Sequence, residues 1–156
     1  MSTLTLRPAE PGDARLLFEW ANDPVARAQS FSQATIPWED HERWFTRKLA
    51  DARCLLLIAE DAQGKPIGQV RFDVAEDTSA VISVSMAPEQ RGRGYGAEAI
   101  ARACDALRAR RGPITVLAYI RQDNLASQRA FTRAGFSAPV PMDYQGHPSV
   151  RQSLQL

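Results

Sequence analysis

The sequence predicts an α/β domain whose elements follow in the order β-α-α-β-β-β-α-β-α-β. Two kinds of segment predict it: short apolar or alternating runs with the period of a strand, and longer runs with apolar residues at helical spacing. A third observation is a glycine-rich stretch, Gln90 to Gly96, set between a strand-like run and a helix-like run. At 156 residues the chain is expected to be one domain, 1–156, long enough to bury a real core.

Thr3 to Arg7 alternates and reads as the first strand. Asp13 is placed to cap a helix running to Ala21, with Leu16, Leu17 and Trp20 on one side. Asn22-Asp23-Pro24 ends it, because a residue before proline avoids the helical region. Pro37 precedes a second helix, in which Trp38, His41, Phe45 and Leu49 fall at helical spacing. Cys54 to Ala59 is a short apolar run, expected as a central strand, and Asp61 to Lys65 is a turn.

Ile67 to Val74 alternates, with Val70, Phe72 and Val74 on one face and Gln69, Arg71 and Asp73 on the other. The next strand repeats the device: Ile82, Val84 and Met86 oppose Ser83 and Ser85. Two neighbouring strands with polar residues on one face either line a wet cleft or form a half-solvated sheet, and alternation alone does not separate the two. The stretch from Tyr95 to about Arg111 is a helix with Ile100, Cys104 and Leu107 as its buried stripe, stopped by Gly112-Pro113. Ile114 to Ile120 is a strand. Asn124 caps a further helix that ends at Gly135, and Ser149 to Leu156 returns as a last strand.

Composition removes several functions. Hydrophobic content of 44% and charged content of 24% are those of a soluble globular protein. A net charge of +1 creates no field that favours nucleic acid or an anionic membrane. Met1 to Arg7 carries no basic region followed by an apolar core, and no run is long enough to span a bilayer, so the cytoplasm is the expected location. Cys54 and Cys104 are too few for a disulfide framework or a zinc site, and no metal is expected. Both fall in apolar segments, which argues against a thiol nucleophile.

The glycine-rich stretch carries the chemistry. Gly92, Gly94 and Gly96 allow a tight turn that exposes backbone N–H groups beside the helix that starts at Tyr95. Arg91 and Arg93 add positive charge. Together they make a candidate site for a phosphate or pyrophosphate. The Walker spacing is absent, and the third glycine is misplaced for the dinucleotide fingerprint.

What fits is Arg-x-x-Gly-x-Gly, Arg91 to Gly96, which resembles the acetyl-CoA pyrophosphate loop of the GCN5-related N-acetyltransferase (GNAT) superfamily. A second phrase, Asn124-Leu125-Ala126-Ser127 followed by Phe131 and Gly135-Phe136, resembles the superfamily's other acetyl-CoA motif. The resemblance implies a mixed, mostly antiparallel sheet flanked by helices, with acetyl-CoA as cosubstrate. It also implies a bulged strand before the loop, freeing backbone N–H groups at Val84, Ser85 and Met86 for pantetheine and the thioester oxygen. Cofactor contacts are expected from those residues, from the loop through Tyr95 and Gly96, and from Asn124, Ser127 and Phe131.

The N-terminal half narrows the resemblance. The runs 16–24, Ser30-Phe31, 41–45 and 66–73 look like the branch that acetylates the 4-amino group of a UDP-linked amino-deoxy sugar in pseudaminic acid biosynthesis. The implied partner is a small nucleotide-sugar acceptor, within polysaccharide biosynthesis, and weak homodimers are common in the superfamily. Acetylation of a protein N-terminus or of another small amine, and a non-catalytic acyl-CoA sensor, are the alternatives.

The reaction implied is attack of a neutral amine on a thioester carbonyl, which needs an oxyanion donor, a base and a proton for the leaving thiolate. Many members use a Tyr for that last proton where this chain has Phe131, so Ser127, Tyr119 or water must serve, or the thiolate leaves unassisted. His41, Asp73 and Glu60 are the candidate bases. Asn22, Asp23, Arg27 and Ser30 lie in a segment that could grip a sugar or nucleotide, Arg71 is placed for an acceptor phosphate, and Trp44 and Phe45 for a base or the core.

Overall fold

The computed structural model describes residues 4–76 and 78–156. Met1 to Thr3, which enter the leader and first-strand readings, lie outside the described residues. The strands are β1 (Thr5–Pro8), β2 (Cys54–Glu60), β3 (Pro66–Glu76), β4 (Ser79–Met86), β5 (Thr115–Arg121), β6 (Val140–Tyr144) and β7 (His147–Gln155). They form one seven-stranded sheet in the order β1-β2-β3-β4-β5-β7-β6. Every neighbouring pair is antiparallel except β4 and β5. The mixed, mostly antiparallel sheet expected from the resemblance is therefore present.

The helices are α1 (Ala14–Ala21), α2 (Pro24–Ala28), α3 (Trp38–Ala50), α4 (Tyr95–Arg111) and α5 (Leu125–Arg133). Among the described residues, no helix is long and apolar enough to cross a membrane. The larger core lies on the sheet face covered by α4 and α5, where Ile100, Leu107 and Phe131 meet Val70, Phe72, Val116 and Ile120. A smaller core lies on the opposite face, where Leu17 and Trp20 of α1 and Phe45 of α3 meet Leu56 and Ile58. β2 contributes to both, Leu55 and Leu57 to one and Leu56 and Ile58 to the other. That is why its sequence is an unbroken apolar run instead of an alternation. It lies second from the edge of the sheet, not at the centre as expected.

Two elements were not legible in the sequence. α2 is only five residues long, too short to display a period, and is started by Asp23, whose carboxylate accepts from the Ala26 N–H at 3.1 Å. β6 is a short edge strand containing Pro141, whose missing N–H an edge tolerates. Asp13 also departs from expectation. Its carboxylate makes no cap to α1. It accepts from both Arg7 terminal nitrogens, at 2.8 and 2.9 Å, and from the Glu10 N–H at 2.7 Å, so it ties β1 to the turn before α1.

One feature of the sheet positions the site. The parallel pairing of β4 and β5 runs only from Ser79↔Thr115 to Val81↔Leu117 and then stops. Beyond Val81 the two strands part, and the β5-facing edge of β4 has no strand partner. The bulge expected in β4 is not what frees that edge. The β3–β4 register runs without a shift from Gly68↔Met86 to Val74↔Ala80. Splaying from β5 does the work instead.

Candidate active site

A cavity of about 980 Å³ opens where β4 and β5 part. Its floor is the free end of β4, with Ser83, Val84, Ser85 and Met86 all in the lining. The polar face anticipated from alternation is there, since Gln69 and Arg71 of β3 line it beside Ser83 and Ser85. The wet cleft is thus the correct one of the two readings.

One end of the cavity is built by the glycine loop. Gly92 and Gly94 have φ of +77° and +81°, left-handed values that a side chain would strain. Gly94 is the residue from which α4 begins, so the first N–H groups of α4 have no partner within the helix and face this end. Gln90, Arg91, Gly92, Gly94, Tyr95 and Gly96 line it. Asn124 and Ser127 line it from α5. The Asn124 side chain accepts from the Ser127 N–H at 3.2 Å, so it caps α5 while facing the cavity. Partial positive charge at a helix start, arginines and flexible glycine backbone suit a diphosphate.

Two expected cofactor residues lie elsewhere. Arg93 is exposed on the loop and does not line the cavity. Phe131 is 2% exposed and packs edge-on against Phe136 at 5.0 Å, so it supports α5 from the core. The sequence reading missed Arg129 and Arg133, one turn apart on α5, which both line the cavity. Arg129 lies three positions beyond Ala126 and Arg133 three beyond Ala130, and that helical spacing was the available signal.

The other end lies against α1, α2 and α3. His41 is buried, stacked on Phe45 at 6.0 Å and surrounded by Phe18, Trp38 and Trp44. Its Nε2 is 2.9 Å from the Ala14 carbonyl. A carbonyl only accepts, so Nε2 carries hydrogen, and Nδ1 is the ring's basic site. Burial pushes the His41 pKa below its ordinary value, against the opposing pull of the Ala14 bond. Arg71 lies over Trp44, 5.0 Å from the ring centre, and donates to Ser83 Oγ at 3.2 Å.

Arg27 and Ser30 line this end as expected, but their polar groups serve the backbone. Arg27 donates to the carbonyls of Ala21, Ser32 and Ala34 and to Ser30 Oγ. Asn22 does not line the cavity. Its side chain clamps Ile36, donating to the carbonyl at 3.0 Å and accepting from the N–H at 2.8 Å, which fixes the segment that walls the cavity.

The structure separates three other candidates from the site. Asp73 lies outside the lining and accepts from Lys48 Nζ at 2.7 Å and Arg71 Nε at 2.8 Å. Burial opposes its ionisation, but these two cations outweigh burial and hold the carboxyl below its ordinary range, which leaves a poor base. Glu60 accepts from Arg7 at the β1–β2 edge. Tyr119 stacks flat on Tyr144 at 4.2 Å, away from the cavity. Neither cysteine lines it, and burial pushes Cys54 up to about 11 and Cys104 up to about 12. The groups that do converge are the free edge of β4, His41, Arg71, Asn124, Ser127 and the loop.

Charge within the cavity is one-sided. Arg27, Arg71, Arg91, Arg129 and Arg133 line it, and Asp40 is the only carboxylate among the described residues that do.

Comparison with known proteins agrees with this architecture. The acetyltransferase (GNAT) domain family matches residues 3–137. A spermidine N(1)-acetyltransferase of Vibrio cholerae is 29% identical over 106 residues, which span 67% of this chain and 61% of that protein. The crystal structure of a spermidine N-acetyltransferase from Vibrio cholerae with CoA and spermine superposes with a TM-score of 0.85 at 21% identity, covering 97% of this chain and 95% of the other. An aminoglycoside acetyltransferase in complex with coenzyme A gives 0.84 at 20% identity, covering 98% and 95%. These structural likenesses concern the fold.

Proposed function

The chain belongs to the GNAT acetyltransferase domain family, and from that premise we propose that it transfers an acetyl group from acetyl-CoA to an amine. The acceptor we infer is a nucleotide-linked amino-deoxy sugar. The observation that carries this choice is Arg71 at the acceptor's end of the cavity, held over Trp44 at 5.0 Å from the ring centre. A guanidinium there favours an acceptor that brings phosphates together with its amine.

The loop from Arg91 to Gly96 and the start of α4 bind the pyrophosphate, with Arg129 and Arg133 adding positive charge. The free edge of β4 offers backbone N–H groups to the pantetheine amides and to the thioester oxygen. The neutral amine attacks the thioester carbon, and a C–N bond forms as the C–S bond breaks. His41 Nδ1 takes the amine's proton, and the Ser127 hydroxyl passes one to the departing thiolate while taking another from solvent water. Arg71, over Trp44, meets the acceptor's phosphates. The transfer is direct, with no acyl-enzyme.

A polyamine acceptor is the second reading, favoured by the likeness to the Vibrio cholerae spermidine N(1)-acetyltransferase. The test is thiol release from acetyl-CoA with a panel of a UDP-4-amino-4,6-dideoxy sugar, spermidine, an aminoglycoside and an N-terminal ribosomal peptide. Selective turnover of the sugar is expected. Turnover of spermidine alone would replace the sugar by a polyamine, and coenzyme A binding without any turnover would replace the enzyme by a sensor.

A further inference from the structure

We propose that Gln69 binds the reacting amine of the acceptor, accepting one N–H through its side-chain oxygen and so aiming the nitrogen lone pair at the thioester. The inference rests on the acetyl-transfer reading above. Three side-chain atoms among the described residues are buried without a hydrogen-bond partner: Gln69 Oε1, Arg121 Nε and Gln152 Oε1. Of these residues, only Gln69 lines the cavity. An amide oxygen can only accept, and folded proteins leave few such groups unpaired. No donor among the described residues meets it, and we assign that role to a group that enters the cavity.

Its place in the sheet identifies which group. Gln69 lies on β3, opposite Ser85 of β4, and shares its face with Arg71. The open edge of β4 is on the other side of that strand, toward β5. Neighbouring strands are about 4.8 Å apart, so a chain lying along the open edge is separated from Gln69 by β4 itself. A donor that reaches Gln69 lies at the end of the cavity walled by His41 and Trp44, where the acceptor binds. Gln69 is neutral and takes no proton. It holds one amine hydrogen while the other hydrogen of the attacking nitrogen passes to His41 as the C–N bond forms.

The test compares Gln69→Leu and Gln69→Glu with the wild type, using whichever amine of the panel the wild type turns over. Gln69→Leu is expected to raise KM for the amine about tenfold while KM for acetyl-CoA stays within about twofold. Gln69→Glu, which keeps an acceptor oxygen, recovers part of the loss. In the free protein Gln69→Leu is expected to keep or raise Tm, because a buried unpaired oxygen has been removed. A rise in KM for acetyl-CoA instead of the amine would overturn the assignment, as would a Tm several degrees lower with KM for the amine unchanged. If no amine is turned over, the transfer reading fails separately, and the Tm of Gln69→Leu still decides: a fall makes Gln69 structural, an unchanged or raised Tm keeps it a ligand-binding residue.

Discussion

Arg91 Nη2 lies 2.9 Å from Asp23 Oδ2, joining the glycine loop at one end of the cavity to the start of α2 at the other. The same Asp23 carboxylate caps α2. The loop that holds the cosubstrate and the wall that faces the acceptor therefore share one ion pair. Arg91→Gln should weaken coenzyme A about tenfold, since a charge-assisted contact to the pyrophosphate is lost. Asp23→Asn keeps a capping side chain and releases Arg91, so coenzyme A should bind about two- to fivefold more tightly. Calorimetric titration of both variants reads this directly, and weaker binding by Asp23→Asn would mean that Asp23 holds Arg91 in its binding pose.

His41→Phe keeps the aromatic stack and removes the base. Acetylation should fall by about 10²- to 10⁴-fold with coenzyme A affinity unchanged. Stability should change with pH as well. The folded pKa of His41 lies below the unfolded value of about 6.5, so the unfolded chain takes up the proton first. The contribution is present above about pH 6.5 and is lost as pH falls through the folded pKa. Wild-type Tm should drop between pH 7.5 and 5, and the slope should flatten in His41→Phe.

Asp73→Asn should leave the rate of acetylation within about threefold, because Lys48 and Arg71 already hold that carboxylate as an anion outside the cavity. Its cost falls on stability, about 1 kcal/mol by chemical denaturation. A rate loss comparable to that of His41→Phe would return Asp73 to the list of bases.

Asn124→Ala removes a helix cap and a cavity contact together. It should cost about 1 kcal/mol of stability and weaken coenzyme A several-fold. Asn124→Ser restores the cap with a shorter side chain, so Tm should recover while affinity does not. Equal recovery of both would make Asn124 a cap alone.

The legible parts of this molecule are those set by local chemistry. Gly92 and Gly94 announced a tight turn before a helix, and the alternation of Gln69, Arg71, Ser83 and Ser85 announced a polar face without saying whether it lines a cleft. Asn124 announced a cap. Pairing across the chain was not legible. Nothing local in Asp73 says that Lys48, 25 positions away, will neutralise it. Nothing in Tyr119 says that Tyr144 will cover its ring. Phe131 sat in a recognisable phrase, yet which side of α5 faces the core is set by Phe136 and the sheet. Arg27 read as a ligand grip because its carbonyl partners at Ser32 and Ala34 carry no sequence signature.

The short run of pairing between β4 and β5 has a further consequence for how the protein survives in a crowded solution. An unpaired strand edge ordinarily invites another chain to add to it, which is a route to aggregation. Here the unpaired length begins in mid-sheet, beyond Val81, and is walled by α4, α5 and the segment before α3. A second sheet cannot simply extend this one there, because β5 already pairs with β4 up to Val81. The same edge that would be a hazard at the rim of the sheet is thus sheltered in its interior, where the cavity meets it.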